Sequence, residues 1–289
     1  MGHFRDRRAF GNVGTRRFRG ARYGDGKSPR FTGLLDLYSG ASAAYSLRAL
    51  SRGWLAGDVV EVRRSSDSAT ADFTASQITS GALVTWVGAG NDGFVSTWYD
   101  QSGNADDATQ AVTTSQPKIV DAGALVTGGL DFDGVDDRLN TSLVPPSVAT
   151  LIGVSNWDIE DATTMIIGAR DSANKRSYLS QTSGGKIAVG VANGALDSID
   201  VVASTDYLSF GMYSGADRLI SVNSSPTSDA IGVTPANATY GYSIGALNTA
   251  GVDSAFMDGT IAEIIIYASD QSANREGIET NINDYYSIY

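Results

Sequence analysis

Gly93-Phe94-Val95-Ser96-Thr97-Trp98-Tyr99-Asp100-Gln101-Ser102-Gly103-Asn104 is the stretch from which this 289-residue chain is best read. Its first eight residues are rich in β-branched and aromatic side chains, which suit a pleated, half-buried backbone, so residues 93–100 are predicted to form a strand. Gln101 to Asn104 is turn chemistry, because Gly and Asn accept positive φ at little cost and Ser bonds to nearby backbone. Two roles are open to Trp98, Tyr99 and Asp100. They could form a sugar-binding loop, with ring faces stacked on a sugar while carboxylate and amide bond its hydroxyls. The simpler expectation is a structural corner, in which Trp98 and Asp100 alternate with Tyr99 at a strand end.

The same pattern runs outward in both directions. Short β-branched and aromatic segments broken by Gly, Ser, Asn and Asp predict strands over 44–50, 59–64, 129–132, 150–156, 165–169, 178–181, 186–192, 207–213, 219–222, 242–245 and 259–267. Ser183-Gly184-Gly185 and Asn193-Gly194 supply turns between some of them. Two helices interrupt the strands. One is expected over 80–89 with Leu83, Val84 and Val87 on one side, and one over 271–285, capped by Asp270, with Ile278, Ile282 and Tyr285 at helical spacing.

With 42% hydrophobic residues the chain can bury a large core, and one main domain over 31–289 is the simplest organisation. There is no cysteine, which excludes a disulfide framework, a thiolate metal site and a Cys nucleophile. Met1 is followed by a polar, arginine-rich stretch rather than by the apolar core of a Sec signal, and no run of about 18 apolar residues suggests a membrane span. Residues 1–30 hold nine Lys or Arg against Asp6 and Asp25, a local charge of +7, which leaves −18 on the remainder of a chain whose net charge is −11. Phe4, Phe10, Phe18 and Tyr23 are spaced among the arginines with no helical or alternating period. The segment therefore reads as an extended basic arm without a core of its own, either an anchor or a solvated tail. As an anchor, Arg5, Arg7, Arg8, Arg16, Arg17, Arg19 and Arg22 would pair with carboxylate or phosphate on a partner while the aromatics fill pockets. Nucleic acid is not favoured as a partner, because a globule of −18 opposes broad contact with it.

Residues 44–118 resemble the start of the α-L-arabinofuranosidase B catalytic domain. The resemblance is carried by Tyr45-Ser46-Leu47-Arg48, Val62-Arg63-Arg64-Ser65-Ser66-Asp67, Trp98-Tyr99-Asp100-Gln101-Ser102-Gly103 and Gln116-Pro117-Lys118-Ile119. The rest, with Leu130-Asp131-Phe132-Asp133-Gly134-Val135-Asp136-Asp137 and the strand of residues 258–267, resembles laminin-G-like lectin domains, including versions found in phage structural proteins. Together these resemblances imply an all-β, concanavalin-like jelly-roll β-sandwich with a C-terminal helix and the basic arm. The later segments that carry the arabinofuranosidase family's catalytic Glu and Asp find no match, so no catalytic residue is carried over.

Candidate site residues are few. Asp131, Asp133, Asp136 and Asp137, with Gly134 at their bend, are hard oxygen ligands that could hold Ca²⁺, although their order does not match an EF-hand loop and such a turn can simply connect strands. No other cofactor is implied. Glu263 falls, by alternation, on the face of Ile261, Ile265 and Tyr267, where burial would raise a carboxyl toward general-acid use; a structural hydrogen-bonding role is the stronger expectation. Asp158, Glu160 and Asp161 offer further carboxylates. For glycan contact the best aromatics are Trp157, Tyr240 and Tyr242, the two tyrosines sharing a face if their stretch is extended; the competing account makes them core. His3, the only histidine, lies in the arm, which excludes a Ser-His-Asp arrangement in the globule.

The function these features suggest is a tailed-phage virion structural protein, as a capsid decoration, tail or fibre component. It would be made in the host cytoplasm and carried out in the particle, oligomeric in the assembly, bound to other virion proteins through the arm and able to touch host-surface glycans. The alternatives are an arabinofuranosidase-like glycoside hydrolase and a bacterial surface lectin.

Overall fold

The computed structural model describes residues 31–160, 162–172, 175–192, 194–215, 217–231 and 239–289. The basic arm with its seven named arginines lies outside the described residues, as do Asp161 and Asn193. From Thr32 to Tyr289 the described residues belong to one compact unit.

In chain order the first strands are β1 (Ala43–Ser46), β2 (Asp58–Arg64), β3 (Thr70–Thr74), β4 (Gly93–Trp98), β5 (Ala108–Thr109), β6 (Lys118–Asp121), β7 (Ala124–Leu125), β8 (Leu130–Asp133) and β9 (Leu139–Asn140). The long central ones follow: β10 (Ala149–Trp157), β11 (Thr164–Ser172), β12 (Lys175–Gln181), β13 (Lys186–Val191), β14 (Gly194–Asp200), β15 (Asp206–Ser214), β16 (Asp217–Val222) and β17 (Ser225–Ala230). The last are β18 (Ser243–Ile244), β19 (Leu247–Thr249), β20 (Val252–Ser254) and β21 (Asp258–Tyr267). The helices are α1 (Leu34–Leu37), α2 (Ala75–Thr79), α3 (Ala82–Val87) and α4 (Arg275–Tyr286), and none of the described helices is long and apolar enough to cross a membrane.

These strands make a β-sandwich. In one layer β21 is central: β10 lies along one edge, β1 and β8 share the other, and β10 continues through β15 and β16 to β17. The facing layer runs from β9 through β18, β11, β12 and β13 to β14. The hairpin of β2 and β3 is joined through β4, and β4 connects by β6 to β8. The main core lies between the layers, where Leu151, Ile220, Ile261, Ile264 and Ile266 meet Ile166, Leu179 and Val189. A second cluster lies on the outer face of the first layer. There Ile152, Val154, Leu208, Phe210, Ile265 and Tyr267 are covered by Leu34 of α1 and by Ile278 and Ile282 of α4. The central strand is thus buried on both faces, which is why Ile264, Ile265 and Ile266 can follow one another without a polar break.

Local chemistry explains where the expected elements moved. The helix predicted over 80–89 is the shorter α3, and α2, which the pattern did not mark, precedes it; Gly81 at φ +80° separates the two. Thr74 opens α2 with a capping box, its hydroxyl accepting from Gln77 N while the Gln77 side chain accepts from Thr74 N. Leu83, Val84 and Val87 do face the main core. At the C-terminus, Asp270 accepts from Ser272 N at 2.8 Å but is not the cap expected of it: Gln271 is the N-cap of a 3-10 turn, Ser272–Asn274, and Asn274 that of α4. The strands that sequence patterning missed include β14 and β17. Every residue of β17 is exposed, so no apolar alternation marks it.

The Trp98 to Asn104 motif is a clasp on the segment around β1. Asp100 Oδ1 accepts from Ala44 N and Ser102 N, both at 2.8 Å, and its Oδ2 accepts from the Ser102 hydroxyl at 2.6 Å and Asp106 N at 3.2 Å. The Gln101 amide accepts from Leu50 N and donates to the Ser46 and Arg48 carbonyls. Asn104 donates to the Ala41 and Ser42 carbonyls. Trp98 is fully buried, its ring 5.9 Å from that of Tyr45. Asp100→Ala strips four donors of one acceptor at once, and an expected loss of about 3 kcal/mol of stability follows. A urea midpoint that falls with unchanged slope is the check.

Candidate functional site

Three consecutive strands build a groove from residues far apart in sequence. Across the β4–β6–β8 ladder Phe94 stands opposite Lys118, and Lys118 opposite Asp131, so the three share a face. Thr113, Thr114 and Gln116 close one side, Asp133 and Asp137 the other, around a volume of about 420 Å³, within the range of small-molecule sites. The Arg63 guanidinium lies 4.7 Å over the Phe94 ring and is held by Gln116 Oε1 at 2.8 Å and the Thr113 carbonyl at 3.0 Å. The aromatic wall is therefore fixed from behind.

The acidic residues owe their places to the turn after β8. Asp133 Oδ1 accepts from Val135 N at 2.8 Å and Asp136 N at 3.2 Å, and Gly134 (φ +73°) packs where a Cβ would press on Asp258. Asp136 accepts from the Ser115 hydroxyl and Asp137 from Asp133 N. Burial, with Asp133 close by, pushes the Asp137 carboxyl up to about 7. Burial also raises Asp131, helped by Asp158 and opposed by the Lys118 ammonium. Lys118 is engaged by Asp121 at 2.7 Å and Asp92 at 3.7 Å, which raises its own pKa. The groove can thus offer a protonated carboxyl at neutral pH, a second carboxyl and an aromatic surface.

Of the four aspartates singled out from sequence, Asp133, Asp136 and Asp137 offer oxygens within 4.8 Å of one another; Asp131 stands outside that group, on the strand. The turn's own hydrogen bonds account for the grouping. The glycan-contact expectation is corrected at two positions. Trp157 is wholly buried, its ring 5.9 Å from that of Tyr207 and its Nε1 donating to the Thr164 hydroxyl. Tyr242 is wholly buried with its hydroxyl on Ser177, because its side chain points into the main core. Tyr240 is 40% exposed, so the two tyrosines form no shared platform. Sequence reasoning passed over Phe94, Arg63 and Lys118 as site residues; the only signal was that Phe94 precedes the buried Val95 in the quoted stretch and so faces away from the core.

Glu263 sits elsewhere. Its Oε2 accepts from Arg48 Nε at 2.7 Å, the Ser46 hydroxyl at 2.8 Å and the Tyr286 hydroxyl at 3.2 Å, and its Oε1 from Arg48 Nη2 at 2.9 Å. Burial works against the Arg48 charge and Glu263 overrides it, holding the guanidinium pKa above the ordinary arginine value. Four donors on one buried carboxylate make it a structural anchor. The face expected for it was also wrong in part. The ladder with β10 slips between Val154 and Ser155, which leaves one extra residue on β21, so Ile261 turns to the main core with Ile264 and Ile266 while Ile265 and Tyr267 point to α4.

No protein-family model matches the chain, and no curated protein matches it. Solved structures do. A GH54 α-L-arabinofuranosidase soaked with a cyclic sulfate inhibitor aligns with TM-score 0.67 and 17% identity, and a mutant GH54 α-L-arabinofuranosidase soaked with 4-nitrophenyl α-L-arabinofuranoside with 0.64 and 17%. Each alignment covers 87% of this chain and 65% of the other. An arabinofuranosidase complexed with arabinofuranosyl-α-1,2-xylobiose aligns with 0.60 and 19%, over 87% of this chain and 64% of that one. The chain therefore spans just under two thirds of the length of these enzymes. The finding overturns the expectation of a tailed-phage virion component: the likeness runs to glycoside hydrolases across both halves of the domain, including the half that resembled laminin-G-like lectins. The protein has the β-sandwich fold seen in these arabinofuranosidase structures.

Proposed function

We propose that this domain is a glycoside hydrolase of the arabinofuranosidase-like kind, acting on a terminal sugar in the Phe94–Lys118–Asp131–Asp137 groove. The observation that carries the reading is the placement of two carboxyl groups with raised pKa, Asp131 and Asp137, beside a fixed aromatic wall in one groove. Glycosidic cleavage in most such enzymes needs a pair of carboxyl groups in unlike protonation states. Asp137, the better shielded, is the general acid that protonates the leaving oxygen. Asp131, beside the Lys118 ammonium, acts on the sugar carbon directly or through water. The Phe94 ring meets the C–H face of the sugar, and Arg63 keeps it there. The residues are read from this chain's own groove, and no catalytic position is carried over from another protein.

The test is release of 4-nitrophenol from a panel of aryl furanosides and pyranosides, 4-nitrophenyl α-L-arabinofuranoside first, by the purified full chain. Turnover of at least one member, lost in Asp131→Asn, is the expected result. A folded protein that turns over none, or an unaffected Asp131→Asn variant, overturns the assignment.

A further inference from the structure

A second cavity, separate from the groove, lies between the end of β1, α2, the loop before β8 and the C-terminal helix. It encloses about 260 Å³ and its walls are apolar, among them Leu47, Ile78, Leu125, Ala262 and the rings of Tyr285 and Tyr286. Tyr285 is 52% exposed and Leu125 40%, so apolar surface is left open to water at the mouth. The polar groups on its lining are almost all spent. The Thr79 hydroxyl donates to the Ala75 and Ser76 carbonyls, and the Tyr286 hydroxyl to Glu263. Arg48 is the exception. Its Nε and Nη2 are committed to Glu263 at 2.7 and 2.9 Å, whereas Nη1 has only a long 3.4 Å contact to Asn281 Oδ1.

We infer that this cavity is a binding site for a neutral aromatic ring carrying one hydrogen-bond acceptor, such as an aryl ester or aryl ketone. The ring fits because Tyr285 and Tyr286 stand edge to face, 4.8 Å apart at 80°, and offer the geometry that aromatic groups prefer. The acceptor is assigned to Arg48 Nη1, the guanidinium nitrogen not committed to Glu263, on a head group that lines the cavity and is held by the Glu263 pair and by the Tyr285 ring 4.7 Å from it. The ligand is neutral because Glu263 already cancels the Arg48 charge. A carboxylate entering this apolar space would be desolvated with no unpaired cation to receive it.

The experiment is saturation-transfer NMR and titration of the full chain with methyl benzoate, benzoate and methyl cyclohexanecarboxylate. Methyl benzoate is expected to bind about fivefold tighter than either of the others, and Tyr285→Ala, an exposed and readily tolerated change, to weaken it about fivefold. Equal binding of benzoate removes the neutrality argument and overturns the proposal. Equal binding of the cyclohexane ester overturns the aromatic assignment, and the absence of transfer to methyl benzoate at millimolar concentration overturns the site itself. Should Tyr285→Ala fail to fold, the three-ligand comparison on the unaltered chain decides. The result does not depend on whether the groove cleaves glycosides.

Discussion

Glu263→Gln is expected to remove about 3–5 kcal/mol of folding stability. The side chain is fully buried and accepts from four donors, two of them from one guanidinium. Glutamine keeps the volume but removes the charge, so the Arg48 head, itself largely buried, is left inside the protein without a counter-ion. The loss reports that stranded charge rather than the net worth of the pair. Replacing both partners, Glu263→Gln with Arg48→Met, is therefore expected to recover a substantial part of it. Urea unfolding of the single and double variants is the measurement. A single variant within about 0.5 kcal/mol of the parent, the range of ordinary surface changes, would show that the pair is solvated and not an anchor.

Asp137→Asn is expected to lower turnover of the best aryl glycoside about 10²- to 10⁴-fold, the usual contribution of a positioned general acid, while making the protein more stable at high pH. The sign follows from the raised pKa. A carboxyl at about 7 in the folded chain and near 3.8 when unfolded binds more protons in the folded state between those values, so folding loses stability as pH rises through that window and the loss is complete above about 7. Asparagine keeps the oxygen that accepts from Asp133 N and carries no charge to bury. With the shift discounted for the water that still screens the carboxyl at the groove, the expected gain is about 2 kcal/mol at pH 8 and close to none at pH 3, read from urea midpoints. The same ionisation gives the parent chain a rate that falls above about pH 7, because the acid must be protonated to donate. An Asp137→Asn variant that is destabilised at pH 8 would mean the carboxylate form is the one the fold holds. A variant with lost activity and gained stability separates a catalytic acid from a structural one, since a structural carboxylate would not move in both directions.

The sequence by itself was enough for the class of the fold and for the role of its most distinctive motif. Segments of β-branched and aromatic residues cut by Gly and Asn favour extended backbone, and the strands of the core, β10, β11, β15 and β21 among them, lie where that pattern puts them. The Asp100-Gln101-Ser102 corner was legible because its short polar side chains bond to backbone at fixed offsets, a local rule that needs no knowledge of the partner strand.

Contacts across long sequence separations were not legible. Phe94, Lys118 and Asp131 come together because the register of β4, β6 and β8 sets them opposite one another, and no local periodicity encodes which residue of one strand meets which residue of another. Alternation along β21 assigned Ile261 to the face of Ile265, and one bulge reversed it, since an added residue flips every side chain beyond it. Trp157 and Tyr242 looked equally fit for a surface or a core because an aromatic ring suits both, and only the closing of the second layer over them decided. The Asp137 carboxyl carries the plainest case. As a residue type it is an ordinary acid, and its pKa rises to about 7 only because the fold removes water from it and sets Asp133 beside it.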